Sequence, residues 1–192
     1  QHIRAKEKME IAHAALKLIQ PGDTLLLNSG TTTLALASLL GAFGNLTVIT
    51  YDLLVALEVA RTSNRLIVAG GELRRGSTTL ADTFTLSMME QFFVQKAFIS
   101  ADAVDIDHGY MDYNPYEIAI KRRMIENASQ PVMLVDSSKF HARAFANICP
   151  LSAVPHIITD GALPHATRKQ LSDRGINITI APPSDVSMRK SK

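Results

Sequence analysis

The sequence predicts an α/β fold, a mostly parallel sheet with helices on both faces. Seven short apolar runs, rich in leucine or β-branched residues and bounded by Gly, Pro, Asn or Asp, are typical of strands. Segments with helical spacing separate these runs along the chain. Because parallel strands need long crossovers and both faces of such a sheet must be covered, this alternation favours a parallel sheet between helical layers.

The strands are expected at residues 24–27, 47–50, 65–69, 97–100, 132–135, 156–159 and 177–181. The first helix is indicated by apolar residues three or four positions apart on one face, namely Met9, Ala12, Leu16 and Ile19. Further helices are expected at 32–40 and at 52–61, the latter with Asp52 as its N-cap. Two more are expected, one starting at Asn114-Pro115 and one at 164–174 that ends before Gly175.

Composition excludes several classes of protein. The 192 residues are 46% hydrophobic, enough for one domain with a core, and a net charge of +2 gives no electrostatic footprint for DNA or an acidic membrane. One cysteine, Cys149, cannot form an internal disulfide, and the six histidines share no metal-ligand spacing. We therefore expect no metal or other cofactor, no membrane segment, and a reducing cytoplasm. The start at Gln1 suggests a fragment or processed product.

A candidate phosphate site follows the first predicted strand. The motif Ser29-Gly30-Thr31-Thr32-Thr33 combines a glycine that lets the backbone approach a ligand with hydroxyls at a helix start. The alternative is that Thr31 or Thr32 merely caps the helix. The motif alone does not decide between the two, since it lacks the lysine and glycine pattern of known nucleotide loops.

Polar clusters also follow other predicted strands, where open α/β sheets bind ligands. Each is more simply a polar turn, but their recurrence favours a site. Lys139 and Arg74 could neutralise a phosphate, and Asp102 and Asp105 could accept hydrogen bonds from sugar hydroxyls. The Gly70-Gly71 pair after the third strand belongs to the same set of candidates.

Glu117 and Lys121 form a possible acid/base pair, four residues apart on one predicted helix. The structural alternative, which we favour, is a capping box with Asn114 and an ordinary surface ion pair. Met88, Met89, Phe92 and Phe93 are better explained as core or subunit contact than as a cofactor site.

Taken in order, these segments resemble the effector-sensing domain of DeoR-family bacterial transcriptional repressors over nearly the whole chain. The segments that carry the resemblance are Lys8-x-x-Ile11-Ala12, Gly22-Asp23-Thr24, Gly30-Thr31-Thr32-Thr33, Leu46-Thr47-Val48-Ile49-Thr50, Gly70-Gly71, Ala97-Phe98-Ile99, Glu117 to Lys121, Asp136-Ser137-Ser138-Lys139-Phe140 and Thr159-Asp160.

The resemblance implies a ribose-5-phosphate isomerase or coenzyme A transferase-like fold that binds a phosphorylated sugar or related metabolite as effector. Residues 182–192 are polar and basic, and we expect them to be a loose tail. The resemblance implies that residues 1–8 are the linker after a missing N-terminal helix-turn-helix domain that binds operator DNA, and that 9–181 are the sensor. It also implies a dimer or tetramer. We expect no enzymatic activity.

Two enzymatic alternatives share the fold. A sugar-phosphate isomerase is suggested because Ala101 to Asp105 and Asp136-x-x-Lys139 are similar to isomerase active-site segments, but residues 107–111 lack that enzyme's lysine and glycine run. A carboxylate-activating transferase would need Glu117 as nucleophile. Two departures from the family pattern, Tyr51-Asp52 and Ala81-Asp82, adjoin the expected pocket and could alter the ligand.

Overall fold

The structure, a computed structural model, describes residues 4–73 and 75–183. The helices in this part of the chain are α1 Ala5–Leu16, α2 Thr31–Ala37, α3 Leu53–Ala60, α4 Thr83–Met89, α5 Pro115–Glu126 and α6 His165–Asp173. The strands are β1 Thr24–Leu27, β2 Thr47–Thr50, β3 Arg65–Val68, β4 Val94–Ile99, β5 Ala103–Asp105, β6 Gly109–Asp112, β7 Ala128–Leu134, β8 Ala146–Cys149, β9 His156–Thr159 and β10 Asn177–Ile180.

Seven of these strands form one sheet in the order β10-β9-β7-β4-β1-β2-β3, and every neighbouring pair is parallel. They are the seven strands that the sequence predicts, so the predicted α/β class is confirmed. β4 and β7 begin earlier than expected, since their first residues include the polar Gln95 and Gln130, which an apolar-run criterion omits. Because β1, β4 and β7 are adjacent and parallel, the loops that follow them meet at one edge.

Helices cover both faces of the sheet, as predicted. Leu25 and Leu27 of β1 belong to one core cluster with α1, α2 and α3, whereas Leu26 belongs to the other with α4 and α5. This division follows from the alternation of side chains along a strand. Both sides of the central strands are therefore buried, which explains their continuous apolar sequence.

A small antiparallel sheet, β5-β6-β8, was not predicted from the sequence. Its strands have three or four residues and include polar side chains, so their pairing depends on tertiary contacts. Gly109 has φ +88°, and a Cβ there would lie 2.2 Å from the Cys149 carbonyl oxygen, so the hairpin requires glycine. Tyr110 of β6 is fully buried and donates to the Val154 carbonyl at 2.8 Å.

The N-caps expected from the sequence are present. Asp52 accepts hydrogen bonds from the amides of Leu54 and Val55, and Asn114 accepts one from the amide of Tyr116. Residues 5–8 of the expected linker lie in α1. The assignment of residues 1–8 as a linker stays a prediction, and residues 1–3, Arg74 and 184–192, most of the expected tail, lie outside the described residues.

Candidate functional site

A cleft lies at the carboxyl ends of β1, β4 and β7, where two adjoining cavities share the residues Gly30, Ser100, Ala101 and Asp102. The first, here the Glu117 cavity, has a volume of about 160 Å³ and is completed by Ser29, Asp112, Asn114, Glu117 and Lys121. The second, the Lys139 cavity, has a volume of about 60 Å³ and is completed by Lys8, Thr31, Thr32, Leu134, Val135, Asp136 and Lys139. Sequence-distant polar groups therefore converge on one cleft.

A larger groove of about 470 Å³ lies between α1, α2 and α3. Its exposed lining is mostly apolar and includes Leu34, Leu54 and Leu57, and two of its charged residues, Glu58 and Arg61, pair with each other at 2.7 Å. Specific recognition of a small polar ligand requires convergent polar groups, so we take the smaller, polar cleft as the candidate site.

The turn between β1 and α2 is held tightly against the end of β4. The Asn28 side chain accepts from the Ser100 amide at 2.9 Å and donates to the Ser100 carbonyl at 3.1 Å. Gly30 has φ +143°, and a Cβ there would lie 2.2 Å from the Ser100 Oγ. Glycine at this position therefore serves both the backbone conformation and the close approach of β4.

The three predicted threonines have different roles. Thr31 and Thr32 line the Lys139 cavity, at the start of a helix that has no side-chain cap. The Thr33 hydroxyl is fully buried and bonds at 2.9 Å to the carbonyls of Asn28 and Gly30. Thr33 thus holds the turn in place, and Thr31 and Thr32 are the two that face the cleft.

Lys139 and Asp102 face each other across the cleft. Lys139 ends the 3-10 turn that follows β7, and its Nζ lies 3.8 Å from Asp102 Oδ1. Asp102 Oδ2 accepts a hydrogen bond from the Tyr113 amide at 3.2 Å. Both side chains are only partly buried and loosely paired, so an anion entering the Lys139 cavity can approach the ammonium group.

Glu117 is buried at 5% exposure and lies at the centre of a hydrogen-bond network. Its Oε2 accepts from the hydroxyls of Ser29 and Tyr51, the latter at 2.8 Å. Its Oε1 accepts from the side-chain Nδ2 of Asn114 at 2.8 Å and from the Thr79 hydroxyl at 3.4 Å. These donors take up both carboxylate oxygens.

Tyr51 is the first of the two departures from the family pattern, and the structure shows its role. Its ring is fully buried, and burial followed by the negative charge of Glu117 raises the pKa of Tyr51 well above its ordinary value. The phenol is therefore a neutral donor to Glu117. Asp52, beside it, caps α3, and Asp82 in the second departure caps α4 through the Thr85 amide.

Lys121 is 3% exposed and makes ion pairs with Asp112 and with Glu117, the latter at 3.5 Å. The expectation of a surface pair is therefore wrong, because helix α5 turns this face inward against β6. The capping box is also only half formed. The Asn114 side chain caps the helix, but the Asn114 backbone amide donates to Asp112 at 2.8 Å and not to Glu117.

Three predicted site residues lie away from the cleft. The Gly70 carbonyl accepts from the Thr85 hydroxyl at 2.7 Å, and a Cβ on Gly71 would lie 2.4 Å from the same hydroxyl, so this loop packs against α4. Asp105 caps the β5–β6 turn by accepting from His108 and Arg143. The His108 hydrogen bond, with support from Arg143, holds the pKa of Asp105 well below its usual range.

Several polar cleft residues were not predicted from the sequence: Lys8, Ser100, Asp112, and Asn114 as a lining residue. Asp136, which also lines the cleft, belongs to the Asp136-x-x-Lys139 segment noted in the sequence. Asp112 follows the same rule as the predicted candidates, since it ends a strand. It was missed because β6 itself was missed. Ser100 was placed inside a predicted strand, although β4 ends one residue earlier.

Residues 4–73 and 75–183 contain neither a metal-binding cluster nor a membrane-spanning helix. No group of three or more His, Cys, Asp or Glu side chains in these ranges is arranged to hold a metal ion. None of the helices described there is long and apolar enough to cross a membrane.

Comparison with known proteins identifies the family to which this chain is similar. The family described as "DeoR C terminal sensor domain" matches residues 3–161. An uncharacterised HTH-type transcriptional regulator of Bacillus subtilis, YulB, is 35% identical over 177 residues, which are 92% of this chain and 68% of that protein. The glycerol-3-phosphate regulon repressor of Escherichia coli is 31% identical over 178 residues, 92% of this chain and 71% of that protein.

Among solved structures, the chain is similar to ribose 5-phosphate isomerase A of Methanocaldococcus jannaschii, with a TM-score of 0.51 and 20% identity. The match covers 69% of this chain and 53% of that isomerase, so the chain spans about half the length of the enzyme. At this identity the likeness establishes the fold alone, which is the isomerase-like fold expected above.

Proposed function

Because this chain belongs to the DeoR family, as a C-terminal sensor domain of HTH-type transcriptional regulators, we propose that its cleft binds a small phosphorylated sugar or related metabolite. Binding of this effector would modulate operator binding. The observation that carries the proposal is the position of the Lys139 ammonium in one cavity with Thr31 and Thr32. A lysine and two hydroxyls are the groups that recognise a phosphate by charge-assisted hydrogen bonds.

The two cavities suggest how the effector is oriented. The phosphate occupies the Lys139 cavity, and the carbon chain with its hydroxyls extends into the Glu117 cavity past Asp102, which lines both. Asp102 is the partly exposed carboxylate of the cleft and accepts hydrogen bonds from ligand hydroxyls. The small combined space favours a short metabolite over a nucleotide. The name of the E. coli relative, a glycerol-3-phosphate regulon repressor, agrees with a ligand of this kind.

A sensing role without catalysis is supported by the hydrogen bonds that the Glu117 carboxylate accepts. A general base needs a lone pair directed at the substrate proton. Both Glu117 oxygens instead accept from protein donors, and Lys121 is shared between Glu117 and Asp112. We propose that Glu117 organises the cleft and does not turn the effector over, which also disfavours its use as a transferase nucleophile.

We expect Lys139→Met to weaken binding of a phosphorylated effector by about tenfold to a hundredfold, since one charge-assisted bond is worth about 1.5 to 3 kcal/mol. A thermal-shift panel including glycerol 3-phosphate and ribose 5-phosphate identifies the ligand, and calorimetric titration gives the affinities. The control is Lys169→Met, which removes an equal charge from an exposed ion pair on α6.

Unchanged affinity in Lys139→Met, with an unchanged circular dichroism spectrum, would place the phosphate elsewhere. The panel also separates sensor from enzyme, because conversion of ribose 5-phosphate by the unsubstituted chain would favour the isomerase alternative.

We propose that operator DNA is contacted through a helix-turn-helix domain of the type named in the relatives, and that the protein works in the cytoplasm, where the DNA is. The sensor domain itself would supply ligand recognition and self-association. Two-fold operators are read by dimers, so an oligomeric sensor fits this role.

Self-association is expected to use the exposed aromatic residues near α4. Of the candidates from the sequence, Met88 and Phe92 pack against the core, whereas Phe93 is 79% exposed and Phe84 on α4 is 77% exposed. Burying one phenylalanine contributes about 1.5 to 3 kcal/mol, so Phe93→Ser should weaken a dimer roughly tenfold or more. Sedimentation at micromolar concentration measures this, with the equally exposed Phe145→Ser as control. A monomer at all concentrations would contradict the proposal.

A further inference from the structure

Arg4 connects the start of α1 to the loop that carries Lys139. Its Nη2 donates to the Ser137 hydroxyl at 2.8 Å and lies 3.4 Å from Asp160 Oδ1, and its Nε lies 3.3 Å from Asp136 Oδ1. These partners follow β7 and β9, more than 130 residues along the chain. One guanidinium thus joins three separate segments beside the Lys139 cavity.

Asp136 and Asp160 shape the turn that ends in Lys139. Asp136 accepts from the Ser138 amide at 3.0 Å through its side chain and from the Lys139 amide at 3.0 Å through its carbonyl. Asp160 accepts from the Ser137 amide at 2.6 Å. All three amides of the turn therefore bond to one or other of these two aspartates.

Both carboxylates are buried, with only 2% of each side chain exposed. Two negative charges in this position need a compensating cation, and Arg4 contacts both. The fork of the guanidinium suits this arrangement, since it presents several donors in a fixed plane. Removing Arg4 would leave the two carboxylates to repel each other beneath the turn.

We propose that Arg4 is a positioning residue for Lys139, and that it couples occupancy of the cleft to the start of α1. This inference rests on the proposed function in one respect, namely that the ligand of the cleft carries a phosphate. Arg4 itself does not line either cavity; it acts through the Ser137–Lys139 turn, which sets where the ammonium lies. Because coupling between two sites is reciprocal, an anion that fixes Lys139 also fixes Arg4 and the first turn of α1.

The first measurement needs no ligand. Hydrogen exchange at the amides of Ser137, Ser138 and Lys139 is expected to accelerate about tenfold or more in Arg4→Met, because the two aspartates that hold them lose their cation. Arg4→Lys keeps the charge and should show an intermediate effect. The control is Lys6→Met, which removes a charge from the exposed face of the same helix.

The second measurement uses inorganic phosphate as the probe and a double-mutant cycle. Arg4→Met should weaken phosphate binding roughly five- to tenfold in the unsubstituted background and hardly at all in Lys139→Met, because Arg4 acts through that lysine. A general loss of stability would weaken binding equally in both backgrounds.

Unchanged exchange at the three turn amides in Arg4→Met would overturn the positioning role, as would an equal loss of phosphate affinity in both backgrounds. Accelerated exchange in a chain that binds neither phosphate nor any sugar phosphate would instead support the positioning role and count against the proposed function.

Discussion

Replacing Lys121 by methionine is expected to lower the free energy of unfolding by about 3 to 5 kcal/mol, the effect of removing one partner from a buried ion pair. Lys121 lies between Asp112 and Glu117, and all three side chains are nearly inaccessible to water. Without the ammonium group, two carboxylates would remain buried with no cation between them. Methionine fills most of the volume, so packing alone should contribute little to the loss.

Urea denaturation followed by circular dichroism measures this loss. Lys169→Met, at the exposed pair with Asp173, should change the stability by less than about 0.5 kcal/mol. Adding Asp112→Asn to Lys121→Met removes one of the two uncompensated charges and should restore part of the stability. A loss below about 1 kcal/mol in the single variant would show that water reaches this cluster.

Replacing Gly30 by alanine should lower the free energy of unfolding by about 2 to 4 kcal/mol and also weaken phosphate binding. The backbone at Gly30 has φ +143°, which L-residues rarely adopt, and the new methyl group would lie 2.2 Å from the Ser100 Oγ. Rotation of the Ser100 hydroxyl away from the methyl group would break its hydrogen bond to the Ser29 carbonyl, so we expect the clash to be relieved by movement of the turn away from β4. Such a movement displaces Thr31 and Thr32, so stability and affinity should fall together.

The steric and conformational contributions can be separated. Gly30→Ala combined with Ser100→Ala removes the hydroxyl at 2.2 Å but leaves the Ser100 Cβ at 3.2 Å, so most of the stability lost to the clash should be regained. The loss caused by the backbone conformation at φ +143° should remain. Gly161→Ala is the control, because nothing lies within 4 Å of its added Cβ. A Gly30→Ala protein with the stability of the unsubstituted chain would contradict the close approach of these two loops.

The parts of this fold that could be predicted from the sequence are those that local physics decides. Strand β1 is a run of apolar residues between turn residues, and Asp52 and Asn114 cap helices through amides two or three positions away. A window of about ten residues is enough to recognise such features. The parallel sheet follows from their order along the chain.

The remainder depends on contacts between distant segments. Asp102 and Asp105 look equivalent in the sequence, yet Asp102 lines the cleft and Asp105 caps a turn at the far end of β5. Glu117 and Lys121 have the spacing of a surface pair, and only the packing of α5 against distant segments, including Asp112 of β6, makes them a buried one. Arg4 gives no local signal for this role, because Asp136, Ser137 and Asp160 lie more than 130 residues away along the chain.

The order of strands in the main sheet has a consequence for synthesis on the ribosome. The groups that we propose to bind phosphate come from the segment after β1 and from the segment after β7, and β4 lies between these two strands in the sheet. At roughly 5 to 20 residues per second, Lys139 is translated about 5 to 20 seconds after Thr31. Throughout that interval the nascent chain lacks the second half of the proposed site, which is complete only after about three quarters of this segment has been translated.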